Sequence, residues 1–392
     1  MLSFNRQDTN RPSNIAFRQL GRRLGVKASI VMGAFALSVG SALAFGSPVQ
    51  AAAPTDVQHS LIQSTAETLP LSSANASPAD RQAGLGVQAF TADDYEGAYS
   101  HWQQAMLLYR ADGDAIKEAR MLENLSVIYR VTDRAPEAIN MSQQALNIYD
   151  GLEVSHEQPS AYLNLGSAYR LSGQLSEAIA TYNISLDIYQ SLQDTTGERI
   201  ILSLLADTHN DIEDYRQSII YQEQVLAIAK STDERQIEAE SLSELGYAHF
   251  MLGQYAIAVN HYQPAVDIFR QVGNRPQEVA VLNNLGRAAA LAQDTDTALD
   301  AYLQALAIFR NLNRPIQEAH LWVNIGQAHL SAGNLDEAMN AFQQTVTLAE
   351  EIRQYQSNPA LPAHIETAYR ELADLLRQAN RDTEAQQVMN LI

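Results

Sequence analysis

Histidine is the residue type in this chain with the clearest potential for chemistry. The sequence holds nine histidines and no cysteine, which excludes cysteine nucleophiles, thiolate metal sites and disulfides. No His-Glu-x-x-His motif and no cluster of His and Asp at metal-ligand spacing occurs. His209, His249 and His329 stand in the same slot of a repeated unit that holds Tyr129 and Tyr169 elsewhere. We therefore interpret these histidines as packing residues and predict no metal site.

Other catalytic and cofactor motifs fail on context. Gly84-Leu85-Gly86-x-x-Ala89 resembles a loose dinucleotide fingerprint. No strand precedes it, however, and Gly86 is already explained as a small residue of the repeat. There is no phosphate-binding P-loop and no Gly-x-Ser-x-Gly elbow. We predict no catalytic residue and no cofactor.

The charge balance restricts the class of partner. The chain has 392 residues, with 26 Lys and Arg against 45 Asp and Glu, and a net charge of −19. Nucleic-acid binding without sequence preference needs clustered basic residues, so a nucleic-acid partner is not expected. Residues 1–51 hold six basic residues and one acidic residue, which leaves −24 on the rest of the chain.

The basic amino-terminal region has the three parts of a secretory signal peptide. Arginines and one lysine precede an apolar run over residues 28–45, and small residues follow up to Ala51. We predict a signal peptide over residues 1–51, cleaved after Ala51 or, as second choice, after Ala44. A retained membrane anchor over residues 28–45 stays open, as does a mitochondrial presequence. Residues 52–78 are rich in Ala, Ser, Thr and Pro and are predicted to be a disordered linker.

The remainder of the chain, residues 79–392, is one unit repeated. A Leu or Ile followed by a small residue recurs seven times at a spacing of 40, and an eighth copy follows after 47 residues. The small residues are Gly86, Ser126, Gly166, Ala206, Gly246, Gly286, Gly326 and Ala373. A second small residue stands twelve positions later in each copy, from Ala98 to Ala385. The repeats begin near residues 79, 119, 159, 199, 239, 279, 319 and 366, and this periodicity predicts a solenoid.

Each unit has the period of two helices. Tyr162, Leu165, Gly166 and Tyr169 fall on one helical face, and a second face begins at Ala178. A Gly-containing turn separates the two faces. Because a small residue lets one helix lie close to its partner, each unit is predicted to be an antiparallel helix pair. The fold class is all-α.

The pattern resembles the tetratricopeptide repeat. The third copy reads Tyr162-x2-Leu165-Gly166-x2-Tyr169 and then Ala178-x3-Tyr182, and the seventh supplies Trp322 at the first position. The unit is 40 residues instead of 34 and lacks the closing proline, as in the kinesin-light-chain-like and bacterial tandem subtype. The resemblance implies a right-handed α-solenoid of about eight antiparallel helix pairs, whose first helices line a concave groove.

In this family the groove binds extended peptides, mainly through positions 2, 5, 6, 9, 12 and 13 of the first helix when the small residue is position 8. The resemblance thus implies a partner-binding set consisting of Arg120, Asn124, Arg130, Asn164, Arg170, Asn284, Arg287 and Asn324. The asparagines could instead bond the neighbouring repeat, and both alternatives stay open. Asp207, Asp211, Glu240 and Glu244 follow in the middle repeats, so a partner segment of mixed charge is expected.

These observations predict a non-catalytic protein–protein interaction scaffold that is exported to the periplasm or secreted from a bacterium. Its partner would be a protein or peptide segment. A membrane-anchored regulatory or assembly factor using the same groove is the alternative. An enzyme with dispersed residues is a third interpretation that no motif supports.

Overall fold

The computed structural model describes residues 76–152, 155–355 and 362–392. The predicted signal peptide or anchor and nearly all of the predicted linker lie outside the described residues. Within them the chain forms sixteen α-helices and a single-turn 3-10 helix over Ser155–Glu157, with no strand. The all-α prediction is confirmed.

The helices follow one another in eight pairs. The first helices are α1 (Pro78–Thr91), α3 (Ala115–Val131), α5 (Gln158–Leu171), α7 (Thr195–Asp211), α9 (Arg235–Met251), α11 (Arg275–Leu291), α13 (Pro315–Ser331) and α15 (Ala363–Gln378). The second helices are α2 (Tyr95–Asp112), α4 (Ala135–Leu152), α6 (Leu175–Leu192), α8 (Tyr215–Ser231), α10 (Tyr255–Val272), α12 (Thr295–Asn311), α14 (Leu335–Tyr355) and α16 (Asp382–Met389). Each helix packs on the next along the chain, which builds an α-solenoid.

The small residue at position 8 is required by an aromatic ring on the second helix. A Cβ at Gly166 would lie 2.6 Å from the ring of Tyr182, and one at Gly286 would lie 2.5 Å from the ring of Tyr302. Both tyrosines are almost completely buried. The second small position is closed as well, with Ala178 fully buried. These contacts give the physical reason for the 40-residue clock, because a larger residue at either position would separate the two helices.

One residue in the left-handed conformation ends the first helix of every pair. Three of them are glycines, such as Gly173 with φ of 79°, where the missing Cβ removes the steric cost. The others are Asp93, Asp133, Glu213, Gln293 and Asn380. At Gly173 the two following backbone N–H groups, its own and that of Gln174, donate to Arg170 and Tyr169 carbonyls at 3.0 and 2.9 Å. This arrangement satisfies the orphan carbonyls of the helix end.

An ion pair crosses the turn between consecutive repeats where the family proline is missing. Arg110 contacts Glu118 at 2.7 Å, and Arg310 contacts Glu318 at 2.7 Å. Arg270 contacts the buried Glu278 at 2.8 Å. The glutamate recurring at this position is thus structural, and it joins the end of each second helix to the start of the next repeat.

The first helices lie on the inner face of the array. Neighbouring first helices touch one another, as α3 does with α5, α9 with α11, and α13 with α15. In the described part of the chain, no two second helices approach each other to a comparable extent. Helices at the inner radius of a curved stack are the closer ones, so positions on α1 to α15 of odd number line the concave surface. None of the described helices is long and apolar enough to cross a bilayer.

Candidate functional site: the inner face of the first helices

The eight predicted groove residues fall into two groups on the inner helices. Arg120, Asn124 and Arg130 lie on α3, and Asn164 and Arg170 lie on α5. Asn284, Arg287 and Asn324 lie on α11 and α13. Helices α7 and α9 separate the two groups, so the eight residues do not form one cluster.

A buried carboxyl group organises the amino-terminal group. Glu123, on α3, is 7% exposed and accepts hydrogen bonds from the Tyr149 hydroxyl at 2.6 Å and from the Asn164 amide at 3.3 Å. Burial raises the pKa of Glu123 to about 7, although the hydrogen bonds to Tyr149 and Ser160 lower it. Next to it, Arg120 donates to both oxygens of Glu157 at 3.2 and 2.7 Å. The sequence analysis did not single out Glu123.

Arg130 and Asn164 satisfy each other across two repeats. The Arg130 guanidinium donates to the Asn164 side-chain oxygen at 3.2 Å. Asn164 therefore has both ends of its amide engaged, one by Arg130 and the other by Glu123. The bond to the neighbouring repeat that was one alternative for the position-6 asparagines is present here. Asn124 is also buried, at 4% exposure.

Arg170 is paired with the acidic residues that follow it. Its Nε lies 2.6 Å from Asp211 and one terminal nitrogen lies 3.5 Å from Asp207, both on α7. Burial raises the pKa of Asp207 to about 6, against the lowering effect of Arg170. The basic stretch predicted for the amino-terminal half of the groove is thus largely neutralised by contacts within the array.

The carboxy-terminal group is different. Asn324 donates to Asn283 at 3.1 Å, again a bond to the neighbouring repeat, and Asn284 is 1% exposed. Arg287 is 5% exposed, and its guanidinium carbon lies 5.4 Å from the centre of the Phe250 ring. The Nη2 atom of Arg287 is buried and has no hydrogen-bond partner. Burial lowers the pKa of this guanidinium.

Two further unpartnered polar groups lie between the predicted groups and were missed by the sequence analysis. Asn210, on α7, is 8% exposed, and neither its side-chain oxygen nor its nitrogen has a hydrogen-bond partner. The hydroxyl of the fully buried Tyr262, on α10, is also unpartnered. Asn210 stands at position 12, where Arg130 and Arg170 stand in earlier repeats, so the same positional comparison could have found it.

The histidines are packing residues in several repeats. His249 stacks on His261 with ring centroids 5.1 Å apart, and His209 packs beside Tyr221. His320 and His364 meet edge to face between α13 and α15. Within the described ranges, no group of three or more His, Asp or Glu side chains is placed to hold a metal ion.

The family follows from the helix pairs together with sequence models of known repeats. Models described as the tetratricopeptide repeat match residues 157–231, 238–311 and 319–352. The chain is a tetratricopeptide repeat protein. The helix pairs built around a small residue at position 8 agree with this assignment. No curated protein sequence is significantly similar to the chain.

Solved structures of low sequence identity share the fold. The apo form of RapI aligns with a TM-score of 0.51 and 13% identity over 70% of this chain and 99% of RapI. The apo form of the quorum sensor NprR from B. thuringiensis aligns with a TM-score of 0.54 and 12% identity over 86% of this chain and 93% of NprR. A signal transduction ATPase with a tetratricopeptide repeat sensor from Pyrococcus horikoshii gives a TM-score of 0.58 and 13% identity, over 85% of this chain and 46% of that one. These similarities show the tetratricopeptide repeat fold alone.

Proposed function

We propose that this tetratricopeptide repeat protein is a non-catalytic interaction scaffold that binds a segment of a partner protein on the inner face of its first helices. The observation that carries the proposal is the set of buried, unpartnered polar groups on and beside this face, Asn210, Tyr262 and Arg287. Buried polar groups are normally hydrogen-bonded. A partner segment lying along the first helices would supply the missing donors and acceptors.

Export supplies the second part of the proposal. The basic region, apolar run and small residues over residues 1–51 favour a cleaved signal peptide, and we propose that the mature protein acts in the periplasm or outside the cell. Retention of residues 28–45 would instead make it a membrane-anchored regulatory or assembly factor with the same groove. The intact mass of the protein purified from its native host separates these alternatives. A chain beginning near residue 52 supports export, and a chain that keeps residues 28–45 supports the anchor.

Photo-crosslinking tests the location of the partner. A photoreactive phenylalanine analogue replaces Tyr247, a half-buried residue on the inner helix α9, in the full-length protein expressed in its host. The matched control places the same analogue at Ile220, which is 49% exposed on the second helix α8. We expect a discrete crosslinked protein from position 247 and none from position 220. Crosslinking from position 220 alone would contradict the proposed face.

A further inference from the structure

The unpartnered polar groups are concentrated in the middle of the array. Asn210 is on α7, Tyr262 is on α10 and Arg287 is on α11. The charge on Arg287 acts on the Tyr262 hydroxyl, so these two groups are close to each other. Arg287 also packs against Phe250 of α9. The three residues therefore mark a continuous stretch across repeats four to six, which we call the central floor.

Equivalent positions in earlier repeats serve as internal comparisons. The hydroxyl of Tyr182 donates to Ser167 at 3.0 Å, whereas the equivalent hydroxyl of Tyr262 has no partner. Arg170, at the same position 12 as Asn210, pairs with Asp207 and Asp211 of the next repeat. Side chains at these positions can thus be satisfied inside the array. Their lack of partners in the central floor is specific to these repeats.

Arg287 is the group whose missing partner matters most. A buried cation is strongly unfavourable unless an anion and hydrogen-bond acceptors compensate it. The Phe250 ring faces the guanidinium and offers partial compensation, but a ring is no acceptor for the in-plane N–H groups of Nη2. In the described part of the chain, no carboxylate forms an ion pair with Arg287. A carboxylate is the group that fits a guanidinium best in geometry and charge.

Asn210 sets the other end of the central floor. Its amide offers one acceptor and one donor side, the complement of a peptide backbone. By the register of Arg170 with Asp207, Asn210 at position 12 lies against position 9 of α9. From α7 to α11 is two repeats, roughly 20 Å at about 10 Å for each helix-to-helix step. An extended segment of about six residues covers that distance.

Resting on the function proposed above, we infer that the central floor binds an extended peptide segment of a protein partner in which one carboxylate side chain pairs with Arg287 while Asn210 holds the backbone about six residues away. The arginines of repeats two and three are already engaged and do not anchor the partner. Because the body of the array carries a net charge of −24, a segment with many acidic residues would be repelled. The partner segment has a single acidic residue at the Arg287 register.

Selection from a displayed library of random dodecapeptides tests the inference with a defined probe. The full mature array is used as wild type, as Arg287→Met and as Arg170→Gln, the matched control at a paired arginine. We expect an Asp or Glu at one fixed position in peptides selected by wild type and by Arg170→Gln, and no such enrichment with Arg287→Met. The best peptide and its Asp→Asn form are then compared by fluorescence anisotropy. The acidic form should bind wild type at least about tenfold more tightly, which corresponds to one charge-assisted contact, and both forms should bind Arg287→Met equally.

Thermal unfolding separates binding from folding. Because Arg287→Met removes a buried cation without an ion pair, its unfolding midpoint should equal that of wild type or exceed it by a few degrees. A fall of several degrees would show a structural role for Arg287 and overturn the inference. Selected peptides that bind the Asp and Asn forms equally, or that lose affinity with Arg170→Gln instead, overturn the inference alone. If no peptide is selected by wild type, the proposed groove function fails together with it.

Discussion

The buried carboxyl group of Glu123 makes the stability of the second and third repeats depend on pH in a defined direction. Its pKa is about 7 in the folded array against an ordinary value of 4.5, because burial disfavours the ionised form. A folded-state pKa above the unfolded one stabilises the protein fully below about pH 4.5, and the contribution is lost as pH rises through about 7. The difference corresponds to roughly 3 kcal/mol, of which about 2 kcal/mol disappears between pH 5 and pH 8.

Glu123→Gln isolates this contribution. The amide keeps an acceptor for the Tyr149 hydroxyl but cannot ionise. Urea unfolding followed by circular dichroism, at pH 5 and pH 8, should show the variant gaining about 2 kcal/mol on wild type between the two conditions. Comparing the variant with wild type cancels the general effect of the acidic surface, since both proteins share it.

Glu278→Gln is the matched control. Glu278 is 1% exposed but is paired with Arg270 and Arg275. Removing its charge should cost roughly 1.5 to 3 kcal/mol at both pH values, because two charge-assisted hydrogen bonds are weakened. A difference between Glu123→Gln and wild type that is the same at pH 5 and pH 8 would refute the assignment of a raised pKa to Glu123.

Two further changes test the packing and the histidine contact. Gly286→Val should lower the free energy of unfolding by roughly 1 to 3 kcal/mol, because its Cβ would lie 2.5 Å from the Tyr302 ring; Gly151→Ala, which meets nothing within 4 Å, should be neutral or stabilising by up to about 1 kcal/mol in the same urea titration. Burial lowers the pKa of His320 to about 3 and that of His364 to about 4, so their contribution is present above about pH 6.5 and is lost as pH falls towards 4. The urea midpoint of His320→Gln should therefore fall less than that of wild type between pH 7 and pH 5, and an equal fall would contradict this.

The helix pairs could be predicted because their cause is local and repeated. The 40-residue spacing of Gly166, Gly246 and Gly286 reports a close helix contact, and the structure shows the ring that requires it. The left-handed turn residues were only partly predictable. Gly173 signals such a turn, but Asp133 and Glu213 adopt the same conformation without a glycine, because the helices on either side determine the turn.

The groove chemistry could be predicted only as a set of positions. Arg130 and Arg170 lie on the inner helices, yet their long side chains reach Asn164 and Asp211 in the next repeat. Such pairs depend on the offset between repeats, which a single sequence does not specify. The same holds for Arg287, which looks equivalent to the other arginines in sequence but finds no partner at the end of its side chain.

A crystal structure of the array with the strongest peptide from the library selection tests the central claim most directly. The account predicts a peptide lying along α7, α9 and α11, with one carboxylate oxygen within about 3 Å of Nη2 of Arg287 and the Asn210 amide bonded to the peptide backbone. A peptide bound on the second helices, or against Arg120 and Arg170 with Arg287 still lacking an anion, would contradict it.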